Sequence, residues 1–225
     1  MIELIGAGHR FGSAEIFAEV DLAIPEGSFH FLTGPSGAGK TTFLRLCYGD
    51  LLPSHGQVRV LGEDPATLNR DGVARMRRRI GVVHQDCQFL DHMSVVDNIA
   101  LPLVVAGRDP AAHAGELTDL IRWVGLEARQ TARPDTLSGG ERQRAALARA
   151  VILSPDVLIA DEPTGNVDWE MGQRVMTLLS ELNRMGKTVL VATHDMNLIR
   201  SAAANVTAKV LRLSGGRLAQ ASATL

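Results

Sequence analysis

Cysteine is nearly absent: Cys47 and Cys87 are the only two in 225 residues, too few for a disulfide framework. Both read as small buried apolar side chains. Aromatic residues supply only 4% of the chain, so aliphatic side chains carry most of its 45% hydrophobic content. Neither sign of charge dominates. Twenty-three Lys and Arg against 25 Asp and Glu leave a net charge of −2, without the basic surplus of a non-specific nucleic-acid binder. Apolar runs are short; LPLVVAG at residues 101–107 falls far below the ~18 residues a membrane span needs. The opening MIELIGAGHRF lacks the basic stretch leading into an apolar run that marks a signal peptide. There is no low-complexity tract and no internal repeat. These absences predict a cytoplasmic protein with one sizeable core.

The patterning predicts an α/β chain. IELI, EVDLAI (closed by Pro25, Glu26 and Gly27), SFHFLT at 28–33, QVRVLG at 57–62 and IGVVHQ at 80–85 read as strands. Helices are expected over 40–48 and around Met76. Residues 86–136 turn helical, chiefly over 94–106 and 113–124, and read as an inserted lobe. Helix and strand then alternate: a helix over 141–153, VLIAD at 157–161, a helix from near Asp168, TVLVAT at 188–193, and a short tail after Leu213. Continuous apolar strands alternating with helices predict a mostly parallel sheet covered on both faces. One domain over 1–225 is expected, with the core in 1–85 and 137–225 and the lobe in 86–136.

GPSGAGKT, Gly34 to Thr41, fits G-x-x-x-x-G-K-[ST] between a strand and a helix, the context that motif requires. Its glycines (Gly34, Gly37, Gly39) let the backbone wrap closely enough for its N–H groups to surround phosphate oxygens, with Pro35, Ser36 and Ala38 between them. The helix opening at Lys40 aims its positive end at the same place. Lys40 can reach the β- and γ-phosphates, and the Thr41 hydroxyl can ligate Mg²⁺; Thr42 follows in the same turn. VLIADEP ends a buried strand with two carboxylates, which a parallel sheet delivers to the same edge. Asp161 suits a Mg²⁺ shell, and Glu162 suits polarising an attacking water. A turn-capping role for Glu162 before Pro163 is the bland alternative.

Three further features narrow the class. Gln85 ends the IGVVHQ strand, where it can reach Mg²⁺ and the γ-phosphate. LSGGERQR (137–144) opens a helix, and ATHD puts His194 at another strand end. Ser138 and Glu141 make a capping box, which accounts for neither Gly139 nor Gly140. With these motifs in this order, the sequence resembles the ATP-binding subunits of ABC transporters over essentially its whole length. The resemblance implies ATP and Mg²⁺ as ligands and a head-to-tail homodimer enclosing two ATP. Ser138, Gly139 and Gly140 would then act on the opposite chain's γ-phosphate, with Asp168 of GNVD at the seam. Phe11 stands where the family stacks an aromatic, often Tyr, on adenine; Val167 stands where Leu is common.

The resemblance also implies an integral membrane subunit docked near Asp86, Cys87, Gln88, Phe89 and Leu90 and on the helical lobe. That would place the chain peripherally on the cytoplasmic face of the inner membrane. FLTGPSGAGKTTFLRL, SVVDNIALPLVVAG, ADEPTGNVD and LNRMGKTVLVATHDMNLI look most like the family's cell-division branch. That branch transmits force through its membrane partner to activators of peptidoglycan hydrolases and contacts division-ring proteins. Lipoprotein-release and macrolide-efflux ATPases share the architecture. DNA-repair relatives need a long coiled coil between phosphate loop and carboxylate pair, for which there is no room, and translation factors carry two cassettes. The Arg75, Arg77, Arg78, Arg79 run reads as a solvated helix face.

Overall fold

The computed structural model describes residues 1–165, 167–203 and 205–221, with backbone alone at 203 and 221. Strands β1 (Ile2–Phe11) and β2 (Ala14–Ile24) form a long antiparallel hairpin. They outrun the short IELI and EVDLAI strands read from the sequence. Register shifts after Leu4 and Ala7 carry the pairing through the Gly6–Gly8 stretch, where period-two alternation breaks down. Strand β3 (Phe29–Thr33) follows, then helix α1 (Lys40–Cys47). Strand β4 (His55–Val60) returns to β1 and completes a three-stranded antiparallel sheet, β2-β1-β4. Helix α2 (Arg70–Arg78) leads to β5 (Ile80–Val83).

Next come α3 (Val95–Val105) and α4 (Ala114–Trp123), the two main helices of the lobe. Their boundaries agree with the sequence to within a residue. Helix α5 (Gly139–Val151) starts two residues earlier than its pattern suggested, because Ser138 caps it and both glycines enter the first turn. The remainder is β6 (Val157–Asp161), α6 (Trp169–Arg184), β7 (Thr188–Ala192), α7 (Met196–Ala203), β8 (Ala208–Ser214) and β9 (Arg217–Ala221). The last stretch is therefore not a plain tail: β8 pairs parallel with β3, and β9 folds back on β8 around Gly215 and Gly216.

The larger sheet has the order β5-β6-β7-β3-β8-β9. Every position of β3, β6 and β7 is buried, as expected for parallel strands covered on both faces. Leu32 of β3 and Asp161 of β6 both pair with Ala192 of β7. The strand ends therefore finish level, and whatever follows them collects at one edge. One face packs against α1 and the antiparallel sheet through Phe17, Phe43, Leu44 and Leu46. The other packs against α5, α6 and α7 through Leu147, Val175, Leu179 and Ile199. The lobe has its own cluster: Ile99, Leu103, Ile121 and Leu126 meet Ala145 and Ala148 of α5 and Ile152 just past its end. Helix α5 thus belongs to two cores at once, its alanines allowing close approach on both sides. Cys47 and Cys87 are free and buried, as their scarcity suggested. Arg75, Arg77, Arg78 and Arg79 are exposed, but three of them bind locally: Arg77 to the Gly49 carbonyl, Arg78 to that of Val105, and Arg79 to Asp156.

Candidate active site

A cleft of about 800 Å³ opens at the level ends of the parallel strands. It is lined by Gly34, Pro35, Ser36, Gly37, Ala38, Gly39, Lys40, Thr41 and Thr42, and by Gln85, Asp161, Glu162 and His194, with Ile16 and Gly165 completing the wall. The chain thus brings thirteen of the expected residues together from four strand ends. Gly34 has φ 154°, and a β-carbon there would come within 2.2 Å of the Leu213 carbonyl oxygen, so only glycine lets the loop leave β3 beside β8. Helix α1 has no side-chain cap and no acid in its first turn. Its free N–H groups and positive dipole end face the cleft uncompensated, the usual equipment of an anion site.

Lys40 Nζ donates to the Gly34 carbonyl at 2.9 Å and to that of Pro35 at 3.4 Å, and lies 3.8 Å from Glu162 Oε1. Glu162 Oε1 also accepts from His194 Nδ1 at 2.9 Å. The Glu162 backbone N–H extends the ladder by donating to Ala192, yet its φ is 48°. A non-glycine residue in that region stores strain on the order of 1 kcal/mol, which here turns the carboxylate off the strand line toward Lys40. Thr41 Oγ1 donates to Asp161 Oδ2 at 2.6 Å. Burial pushes the Asp161 carboxyl above its ordinary range. The Thr41 hydrogen bond pulls it back, and the neighbouring Glu162 charge raises it again. Gln85 lies two residues beyond β5 and is exposed. No cluster of three His, Cys, Asp or Glu side chains capable of holding a metal occurs among the described residues. The oxygen donors at hand are the Thr41 hydroxyl, the Asp161 carboxylate and the Gln85 amide. That hard set suits Mg²⁺, an ion that takes few protein ligands and fills its shell with water and phosphate oxygens.

Five expected residues lie outside the cleft of their own chain. Phe11 sits half-exposed at the β1 end, edge-on to His9 with ring centroids 4.7 Å apart. Ser138, Gly139 and Gly140 begin α5. Ser138 Oγ accepts from the Glu141 N–H at 3.3 Å, and Glu141 Oε2 accepts from the Ser138 N–H at 2.8 Å, so the capping box is real. A β-carbon at Gly140 would meet nothing closer than Val167 Cγ1 at 3.6 Å, so packing within the chain does not call for glycine there. Asp168 caps α6, its Oδ1 accepting from the Met171 N–H at 2.9 Å. The sequence reading missed Ile16 and Gly165. Ile16 carries no signal beyond strand alternation, whereas Gly165 sits inside the singled-out GNVD motif.

A phosphate-binding loop and a carboxylate pair at one edge of a parallel sheet, flanked by an antiparallel sheet and a helical lobe, define an ATP-binding cassette. Residues 17–165 match the ABC transporter family. The chain belongs to that family and is an ATPase of its class. It is 45% identical over 178 residues to the cell division ATP-binding protein FtsE of Haemophilus influenzae, covering 79% of this chain and 81% of the relative. Identity to the FtsE protein of Mycobacterium tuberculosis is 42% over 200 residues, covering 89% and 85%. The methionine import ATP-binding protein MetN 2 of Burkholderia mallei is 42% identical, but the match spans 51% of that protein. Among solved structures, a dimeric ATP-binding cassette in a post-hydrolysis state bound to ADP and Pi superposes with a TM-score of 0.87. It is 30% identical, and 98% of each chain is covered.

Proposed function

We propose that this chain is the ATP-hydrolysing subunit of a bacterial cell-division assembly, working as a homodimer around two ATP and transmitting the motion to a membrane partner. The observation that carries the hydrolytic part is Glu162, held between Lys40 at 3.8 Å and His194 at 2.9 Å at the mouth of the phosphate loop. The triphosphate lies on the N-terminus of α1, within the backbone N–H groups of residues 36–42. Lys40 leaves the Gly34 and Pro35 carbonyls for the β- and γ-phosphates, which offer it charge where the carbonyls offer only dipoles. Glu162 accepts the proton of the attacking water, and His194 holds that carboxylate in place. Thr41, Asp161 and Gln85 would hold Mg²⁺, which when bound offsets phosphate charge.

The dimer reading is supported by the Gly140 geometry: a glycine that its own chain does not need suits close approach by something outside it. Ser138, Gly139, Gly140 and Asp168 then act on the opposite chain's nucleotide, and Phe11 stacks on adenine. Matching FtsE proteins of three bacteria over about four-fifths or more of their length support the division role. An integral membrane subunit of the FtsX type is the partner, docked near Asp86–Leu90 and on the lobe, where Leu90, Val104 and Val105 are exposed. No helix among the described residues is long and apolar enough to cross a membrane, which agrees with peripheral attachment to the inner membrane. Activators of peptidoglycan hydrolases and the division ring lie further along the same chain of contacts.

The test is a tagged Glu162→Gln variant, which traps the ATP-bound dimer. Membranes are solubilised gently with Mg-ATP, and copurifying proteins are identified by mass spectrometry. A four-span subunit with cell-wall hydrolase activators is the expected result. A lipoprotein-release or efflux subunit refutes the division role, and equal ATP turnover by wild type and variant refutes the assignment of Glu162.

A further inference from the structure

The loop that carries Gln85 is pinned to helix α5 by one half-buried guanidinium. Arg149 Nη1 donates to the Gln88 carbonyl at 2.8 Å, and its Nη2 donates to the Cys87 carbonyl. The same guanidinium lies 4.7 Å from the centroid of the Phe89 ring. Arg142 lies 5.4 Å from that ring; seven residues make two helical turns, so both arginines leave one face of α5. Between them, Gln143 Oε1 accepts from Cys87 Sγ at 3.5 Å. The loop pays in backbone strain for this fit. Cys87 and Gln88 are consecutive non-glycine residues in the left-handed region, at φ 58° and 45°. No carboxylate pairs with Arg149 among the described residues. Its charge is spent on two carbonyls and a ring face, an arrangement that only a planar fork of donors can make.

We propose that Arg149 is a positioning residue: it clamps residues 85–90 onto α5, and so sets Gln85 at the nucleotide cleft from the helix whose other end carries Ser138, Gly139 and Gly140. The catalytic consequence rests on the ATPase reading above; the clamp itself does not. Without the fork, Cys87 and Gln88 relax out of the left-handed region and Gln85 loses its fixed approach.

The two cysteines are built-in reporters. Cys87 sits under the clamp, whereas Cys47 lies in α1, fully buried in a separate core. The experiment compares wild type with Arg149→Lys, which keeps the charge but cannot span both carbonyls or lie flat on Phe89. Each is pulsed with a maleimide, and labelling is read peptide by peptide in a mass spectrometer. Cys87 should label about tenfold faster or more in the variant, the order expected for losing a hydrogen bond from a charged group, with Cys47 unchanged. Equal acceleration of both cysteines means general loosening and overturns the clamp; so does no acceleration of either. ATP turnover then tests positioning. Arg149→Lys should lower kcat about tenfold with KM nearly unchanged, and in a Gln85→Ala background it should lower kcat no further than Gln85→Ala alone. Independent, multiplying effects overturn the positioning role. Should wild type itself fail to turn over ATP, the functional reading falls while the labelling pattern still decides the clamp. If Arg149→Lys does not fold, Phe89→Leu removes the ring platform alone. It should give the same Cys87-selective labelling, and its absence overturns the proposal.

Discussion

His194 Nδ1 and Glu162 Oε1 meet at 2.9 Å across the ends of neighbouring parallel strands. A carboxylate can only accept, so the hydrogen of this bond sits on Nδ1. The imidazole is largely exposed, at 72% of its side-chain surface, while the carboxylate is 12% exposed, so the histidine reaches in from the open side to hold the carboxylate of the proposed base. His194→Ala should lower kcat by roughly 100-fold, the low end for disturbing a general base. Because its effect passes through Glu162, the double variant with Glu162→Gln should be no slower than Glu162→Gln alone. Steady-state phosphate release measures both.

Lys40 is parked on its own loop, on the Gly34 and Pro35 carbonyls. Lys40→Ala removes the only lysine or arginine lining the cleft among the described residues and should weaken ATP binding by roughly 100-fold or more, as expected for two charge-assisted hydrogen bonds. Titration calorimetry would detect this, and micromolar binding retained by the variant contradicts the assignment.

His30 makes stability depend on pH. It lies in β3, only 1% exposed, and burial together with the charge of Lys209, its register partner on β8, pulls its pKa down to about 4 from 6.5. The Ser28 hydroxyl donates its one proton to the Pro25 carbonyl at 2.6 Å, so it accepts from His30 Nδ1 at 3.2 Å and the ring is satisfied while neutral. The folded pKa is below the unfolded one, so the unfolded chain takes up the proton first as pH falls. Stability is full above about pH 6.5 and drops progressively toward pH 4, by at most about 3 kcal/mol from this group. Urea midpoints between pH 7.5 and 5 should fall more steeply for wild type than for His30→Phe.

Much of this site is legible in the sequence because its residues are tied to strand ends. Once VLIAD and TVLVAT read as buried strands, parallel pairing forces Glu162 and His194 to one edge, and the phosphate loop must join them. What stays hidden is long-range or conformational. The left-handed turn of Glu162 comes from tertiary constraint and leaves no mark in DEP. Arg149 looks like any polar residue on a helix until the 87–88 carbonyls turn toward it. Strand β8 alternates too imperfectly to stand out, yet it pairs with β3 and places the Leu213 carbonyl that makes Gly34 obligatory. Helix α5 is assigned to the core by its position in the chain, but only packing reveals that Ala145 and Ala148 serve the lobe while Leu147 serves the sheet.

On the proposed reading, Gly140 separates what the chain needs to fold from what it needs in order to pair. A methyl there would stand 3.6 Å from Val167, 3.8 Å from Met171 and 3.9 Å from Arg144, all ordinary contacts. Alanine is also the better helix former, by about 1 kcal/mol in a helix interior and less in the first turn. Gly140→Ala should therefore leave the melting temperature of the isolated chain unchanged or slightly raised. In the proposed sandwich, however, the same methyl would face the opposite chain's γ-phosphate, where backbone N–H groups must come within about 3 Å of oxygen. In a Glu162→Gln background with excess Mg-ATP, Gly140→Ala should thus abolish the dimer seen by analytical ultracentrifugation while sparing nucleotide binding by each chain. Undiminished dimerisation would mean that residues 138–140 do no more than cap α5, and the pairing surface would have to be sought elsewhere on the molecule.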